Sequence, residues 1–344
     1  MSVTVKRAER SDWPRLDAFA REHAGPFHLS LWGAANERAL GHEDVRLYTE
    51  EGDVVTGLLP LTDRRSPLFG RALISVGFAV GGGVAARSEA AASALIEAAR
   101  REGEARRAAF VELRGGALPE RWTPKTGTYA SFGVDVTEED DAQLAAIPRK
   151  KRADVRKGIE AMRARALSVA ATRGTDEFWS LYARSQRDHG TPVLPRALLR
   201  SLMEGFGDAA EVIEVRAKGE LIAAVFAFSH RDTLYLYHAA ISPLAKRARA
   251  GDAMYWWTIR RAAMHGLTRV DFGRSKTNSG PYAYKTHWGM TPEPLTYAYA
   301  MLNGDAVPDV NPNNPKFAAV TATWRRLPLP VANALGPHLY RHLG

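Results

Sequence analysis

Between Val270 and Gly289 the chain reads VDFGRSKTNSGPYAYKTHWG, a stretch dense in side chains able to donate, accept or carry charge. Its fragments match several catalytic signatures, and spacing decides among them. DFG at Asp271–Gly273 together with SHRD at Ser229–Asp232 imitates a protein kinase. A kinase needs an Asn five residues after the catalytic Asp, and Tyr237 stands there; no glycine-rich loop precedes the pair. GRSKT is not a Walker loop, which would need glycines where Val270 and Ser275 stand. It is not a nucleophile elbow either, because Thr277 occupies the second glycine position. Gly81, Gly83 and Ala86 fit the dinucleotide pattern, but a glycine turn between strand and helix explains them as well. The ten histidines show no ligand spacing, so no metal site is expected.

Elements must hold these residues. The N-terminal half reads as a strand at Val3–Val5, a helix bracketed by Ser11 and Gly25, and two strands around a Glu-Gly-Asp turn between Val45 and Leu61. Then come a buried strand over Ala72–Val80, a helix from Ser88 to Arg106, a short strand at Phe110–Leu113, and a loop over Pro119–Thr128. The acidic run Glu138–Asp141 reads as a boundary. After it, IPRKKRADVRKGIEAMRARA predicts a helix whose Val155, Ile159, Met162 and Ala166 form one apolar stripe. Arg149, Lys150, Lys151, Arg152, Arg156 and Lys157 crowd its first half, where they oppose the helix dipole. Such crowding suits either an anionic partner or a solvated face. Helices over Asp176–His189 and Arg196–Phe206 precede three strands, the helix GDAMYWWTIRRAAMHG and the strand LTRVDFG. From Asn303 the chain turns Pro- and Asn-rich and ends in a segment containing LPLPVANALG.

The length of 344 residues suits about two domains. With 45% hydrophobic and 25% charged residues the chain is core-forming rather than disordered. It has no cysteine, which excludes disulfides, thiolate metal sites and a cysteine nucleophile. Neither a secretory leader nor a bilayer-long apolar run is evident, so a cytoplasmic protein is expected. The formal charge of +9 favours polyanionic partners such as RNA, nucleotide-linked substrates or acidic lipid, though arginine-rich chains without such partners are common.

AKRARAGDA precedes a helix, and backbone N–H groups at a helix start flanked by Lys246, Arg247 and Arg249 make a natural phosphate cradle. It resembles the pyrophosphate loop of GNAT acyltransferases. Gly251 and Ala253 match the last two fixed positions of that loop, and Ala248 departs from the first. RDHGTPVLPRALL, GDAMYWWTIRRAAMHGL, the 270–295 block, WRRLPLPVANALGP and PRKKRADVRKGI resemble the FemAB-like family, in its exosortase/PEP-CTERM-associated (XrtA-type) branch; SPLFGRALIS and GGG resemble its N-terminal domain.

The resemblance implies a mixed α+β chain of two tandem GNAT-like domains. They are placed at 1–138 and 142–300, the second catalytic, with a tail over 301–344 docked on the body. Fem relatives transfer an aminoacyl group from aminoacyl-tRNA to an amine of a peptidoglycan precursor; the branch is associated with exopolysaccharide and protein sorting. The expected donor is aminoacyl-tRNA or acyl-CoA, with no tightly bound cofactor. The expected partners are tRNA and a nucleotide- or lipid-linked envelope precursor, with peripheral membrane contact and a monomeric chain. A non-catalytic binding protein on the same fold stays open.

Acyl transfer to an amine needs a deprotonated amine, a stabilised oxyanion and held phosphates, and no protein nucleophile. Lys285 stands where the Fem pattern has a lysine, and the resemblance implies that it stabilises transition-state or phosphate charge. Arg274 could grip a carboxylate or phosphate bidentately. Tyr282 and Tyr237 are candidate donors. Asp271 is a candidate base, or else a structural acceptor of backbone N–H groups. Candidate substrate contacts are Arg149, Lys150, Arg152, Arg156, Thr191, Tyr237, His238, Ser275 and Trp288; Arg247, Arg249 and Gly251 are candidates for the donor's phosphates.

Overall fold

A computed structural model describes residues 3–67, 69–304 and 318–343. They divide into two compact units. One takes Met1–Thr128, Leu295–Phe317 and Gly336–Gly344; the other takes Tyr129–Pro294 and Ala318–Leu335. The division lies upstream of the acidic run, which opens a helix within the second unit. The Pro/Asn-rich stretch 307–315 falls outside the described residues.

In the first unit β1 (Val5–Arg7), α1 (Trp13–His23), α2 (Ser30–Leu40), β2 (Glu43–Glu51), β3 (Val54–Ser66) and β4 (Gly70–Ile74) are followed by β5 (Ala85–Ala86), α3 (Glu89–Ala105) and β6 (Phe110–Arg114). β2 and β3 form the expected hairpin, with Gly52 supplying the left-handed turn residue at φ 59°. β4 and β6 pair in parallel at Ala72–Phe110, Leu73–Val111 and Ile74–Glu112. α3 starts where Ser88 caps it, accepting from Ala91 N, and presses Leu95 and Ala99 onto Val45, Leu47 and Leu59. The buried strand expected over Ala72–Val80 stops at Ile74. Beyond it Val76 and Phe78 adopt φ of 45° and 67°, a turn that a continuous strand cannot contain.

The segment expected as loop over Pro119–Thr128 instead opens β7 (Thr123–Ser131). The second unit continues with β8 (Gly133–Asp135), α4 (Asp140–Ala146), α5 (Arg149–Arg163), β9 (Ser168–Thr172), α6 (Asp176–His189) and α7 (Arg196–Phe206). β10 (Ala210–Ala217), β11 (Glu220–His230), β12 (Thr233–Ile241), α8 (Pro243–Arg247), α9 (Ala250–Met264) and β13 (Arg269–Asp271) follow. In chain order β14 (Ser275–Lys276), α10 (Gly280–His287), β15 (Glu293–Met301), α11 (Ala318–Arg326) and α12 (Leu329–Tyr340) come last, with β15 from Leu295 on belonging to the first unit, where it pairs antiparallel with β6. The sheet runs β8-β13-β12-β11-β10-β9, antiparallel except for the β12–β13 pair. Val155 from α5, Met254 and Trp256 from α9, and Val225 and Leu234 from the sheet share one core. On the other face Phe206 of α7 stacks on Phe228 of β11 with ring centroids 4.2 Å apart. Apart from the two-residue β5 in the first unit and the five-residue α8 in the second, both units repeat the order strand, two helices, three strands, helix, parallel strand, and the fold is mixed α+β as expected.

Candidate active site

β12 and β13 stay together for only three residues, Thr233–Tyr235 against Arg269–Asp271. β12 then runs on to Ile241, and among the described residues no strand pairs with it on that side. The parting is set by a tight turn. Gly273 N donates to Asp271 Oδ1 at 2.6 Å, and Gly273 has φ 67°. A Cβ there would sit 2.9 Å from the Leu236 carbonyl oxygen, so the close approach requires glycine.

Lys285 reaches this wedge from the helix α10. Ser279 caps α10 by accepting from Tyr282 N at 3.3 Å, and Pro281 occupies the first turn. Ser-Gly-Pro is a readable helix start, so the signal was present. Lys285 is 5% exposed; its Nζ donates to the Gly273 carbonyl at 2.9 Å and lies 5.2 Å from the Phe132 ring. Burial lowers its pKa to about 8, against the opposing pull of the Asp271 carboxylate. Asp271 is raised by burial, with the Gly273 N–H and the Lys285 charge working against the rise. Its role as a backbone acceptor is thus built into the turn.

On the facing strand a bulge falls between Phe226 and Ala227 of β11: Phe226 pairs with His238 and Ala227 with Leu236, leaving Tyr237 extra. Tyr237 and His238 consequently share a face, where His238 Nδ1 lies 3.2 Å from Tyr182 Oη of α6. Burial, then the Arg274 charge, lowers the His238 pKa to about 3. Arg274 itself stacks 4.5 Å from the Tyr129 ring, and Tyr282 meets Phe132 edge-on at 5.2 Å. Ser275 is buried in the β14–β7 pair, and its Oγ has no hydrogen-bond partner among the described residues. Lys285, Asp271, Arg274, Ser275, Tyr282, Tyr237 and His238 therefore gather around one parting of strands.

Other candidates lie elsewhere. Trp288 is buried and donates Nε1 to Asp252 Oδ1 at 3.1 Å. The same carboxylate takes the Tyr284 hydroxyl at 2.5 Å and Lys151 Nζ at 2.5 Å. Lys151 also stands 4.5 Å from the Tyr284 ring. Lys151, absent from the sequence-derived candidates, is thus an internal strut joining α5, α9 and α10, while its neighbours Arg149, Lys150 and Arg156 are exposed. Arg152 is held by the Ile147 and Ala145 carbonyls, so it caps α4. Arg249, with φ 56°, opens α9 and bridges to Asp154 at 3.1 Å. Gly251 is buried in the first turn of α9, where a Cβ would lie 3.2 Å from Tyr284 Oη. Thr191 is half-buried just past α6, its N–H bonded to the Gln186 carbonyl. Arg247 lines a cavity of about 700 Å³ with Arg184, Arg196, Leu221 and Leu244. Among the described residues no cluster of acids and histidines is arranged to hold a metal, and no helix is long and apolar enough to cross a membrane.

Residues 149–286, which include Tyr237, His238, Asp271, Arg274, Ser275, Tyr282 and Lys285, match the model of an acetyltransferase (GNAT) domain. No curated protein matches the chain. Among solved structures, FemX is 13% identical over 85% of this chain and 96% of its own, with a TM-score of 0.63. L-PGS from Bacillus licheniformis is 14% identical over 93% and 98%, with a TM-score of 0.55. A tandem GNAT protein from the clavulanic acid biosynthesis pathway is 10% identical over 88% and 100%, with a TM-score of 0.52. At these identities the likeness shows the fold, a pair of GNAT units, and the matched domain supports an acyltransferase.

Proposed function

We propose that the chain is a FemX-like transferase that moves an acyl or aminoacyl group from an activated donor onto an amine of a cell-envelope precursor. The observation that carries this reading is Lys285, a buried ammonium held at the parting of β12 and β13 by the Gly273 carbonyl. In an apolar setting a fixed cation stabilises developing negative charge far better than it would in water. Arg274 supplies a second cation beside the wedge. The amine attacks the donor carbonyl directly, its proton leaves with the departing oxygen or sulfur, and no enzyme ester is needed.

The donor is aminoacyl-tRNA in this reading, with the exposed Arg149, Lys150, Arg156 and Lys157 of α5 meeting phosphates. The acceptor is a nucleotide- or lipid-linked peptidoglycan or exopolysaccharide precursor, in keeping with the exosortase-associated resemblance. An acyl-CoA donor is the second reading, favoured by the acetyltransferase character of the matched domain; Arg247 beside its cavity would then meet phosphate. Incubating the protein with acetyl-CoA or charged tRNA, with amine acceptors from the envelope pathway, and weighing the products separates the two. Product from charged tRNA supports the first reading and product from acetyl-CoA alone the second. No product with either, and no change in cells carrying Lys285→Ala, would leave a binding protein.

A further inference from the structure

We propose, resting on the acyltransferase reading above, that His238 is a neutral hydrogen-bond donor to the carbonyl oxygen of the transferring acyl group, with Tyr182 fixing its tautomer. The bulge at Tyr237 turns His238 toward α6 just beyond the point where β12 loses its parallel neighbour. The ring is wedged between Tyr237 and Tyr182, with centroids 4.1 and 5.1 Å away, and Nδ1 meets the Tyr182 hydroxyl at 3.2 Å. Its other nitrogen, Nε2, is buried and has no hydrogen-bond partner among the described residues.

A buried polar group left unmatched costs about 1–3 kcal/mol, so its persistence in a folded chain asks for an explanation. His28 in the first unit shows the matched alternative: Nδ1 takes the Gly25 N–H at 3.3 Å and Nε2 meets the Gly83 carbonyl at 2.7 Å. His238 leaves one position unmatched instead, three residues past the point where β12 parts from β13. With the Tyr182 hydroxyl donating to Nδ1, the ring hydrogen lies on Nε2, which makes the open position a donor. Burial, with the Arg274 charge adding to it, disfavours the imidazolium and keeps the ring neutral through the physiological range.

The reaction balances without His238 changing its protonation. As the amine nitrogen bonds to the carbonyl carbon, the π pair moves onto oxygen, where the Nε2–H meets it. Collapse returns that pair and breaks the carbon–oxygen or carbon–sulfur bond of the donor. The leaving atom departs with the proton that the amine gave up.

Imidazole nitrogen-15 NMR on the whole chain, with His238→Gln to identify the signal, reads the ring directly. The expected result is a neutral Nε2–H tautomer from about pH 5 to about pH 8, with the Nδ1–H form emerging in Tyr182→Phe. A wild-type Nδ1–H tautomer, or titration within that range, overturns the proposal. Turnover with the donor identified above gives a second arm. His238→Gln, which keeps an N–H at the Nε2 position, should stay within about tenfold of wild type, while His238→Ala should lose about 10²–10³-fold. If Gln falls as far as Ala, the ring works as a proton acceptor and the proposal fails. Turnover with the wrong tautomer sinks this proposal alone, whereas no turnover with any donor sinks the transferase reading and this proposal with it.

Discussion

Each unit contains a three-residue parallel pairing that ends abruptly, and the two endings are finished in opposite ways. In the first unit the pairing of β4 with β6 ends in polar groups that satisfy one another. Ser75 N donates to the Glu112 carbonyl at 2.8 Å, Arg114 N to Ser75 Oγ at 2.7 Å, and Arg114 Nε to Glu112 Oε1 at 2.7 Å. Arg114 Nη1 reaches the Ala79 carbonyl at 2.9 Å, and both charged side chains are buried. In the second unit the pairing of β12 with β13 ends at Lys285, His238 Nε2 and Ser275 Oγ, with hydrogen-bonding capacity left over. One topology thus serves once as a closed polar core and once as the frame of the candidate site. The difference lies in which strand continues: β4 turns back at Ile74, while β12 runs six residues past Tyr235, to Ile241.

That contrast predicts where substitutions hurt. Glu112→Leu should destabilise the first unit by about 3–5 kcal/mol, because it strands a buried guanidinium, and adding Arg114→Met should restore most of the loss. Chemical denaturation of the two variants checks both parts, and equal stability of the single and double variants would break the comparison. Lys285→Ala should cost about 10²–10³-fold in turnover while the fold survives. Its pH signature is separate. The folded-state pKa near 8 lies below that of an unfolded lysine, so the unfolded chain holds more protons above about pH 8. Stability should therefore gain a rising component from pH 8 toward the ordinary lysine range, and Lys285→Met should lack it in denaturation series across pH.

Gly158→Ala carries a smaller expected effect. Its Cβ would come within 2.9 Å of Ala253 N and 3.2 Å of Ala253 Cα, prising α5 from α9 at about 1–3 kcal/mol. Thermal unfolding reads it. Smallest for the fold are Glu substitutions at Arg149, Lys150, Arg156 and Lys157, which should shift stability by less than about 0.5 kcal/mol. If this face meets phosphates, the salt slope of tRNA binding should fall by about one for each phosphate-binding cation replaced.

Local signals were legible where the chain carries its own punctuation. The ends of α6 and α7 follow from Gly190 in the left-handed conformation, Pro195, and Gly207 at φ 56°. β7 was not legible, because TPKTGTYAS lacks apolar alternation and only Ala130 of it is buried. Lys151 was hidden differently. In sequence it is one cation in a basic run, and only the distant Asp252, with Tyr284 and Trp288, gives it an interior. The gathering around Lys285 was half visible: residue types marked the block, but the turn at Gly273 and the bulge at Tyr237 are facts of pairing.

The bulge also fixes how this strand tolerates a change of length. Removing Tyr237 would leave Leu236 opposite Ala227 and His238 opposite Phe226, so the ladder would close with every other side chain on its present face. Removing Ala239 instead could be absorbed by flattening the bulge, and that would slide His238 opposite Val225 and turn it to the face of α5 and α9. One position in β12 is therefore slack, and the slack is what keeps the imidazole facing Tyr182.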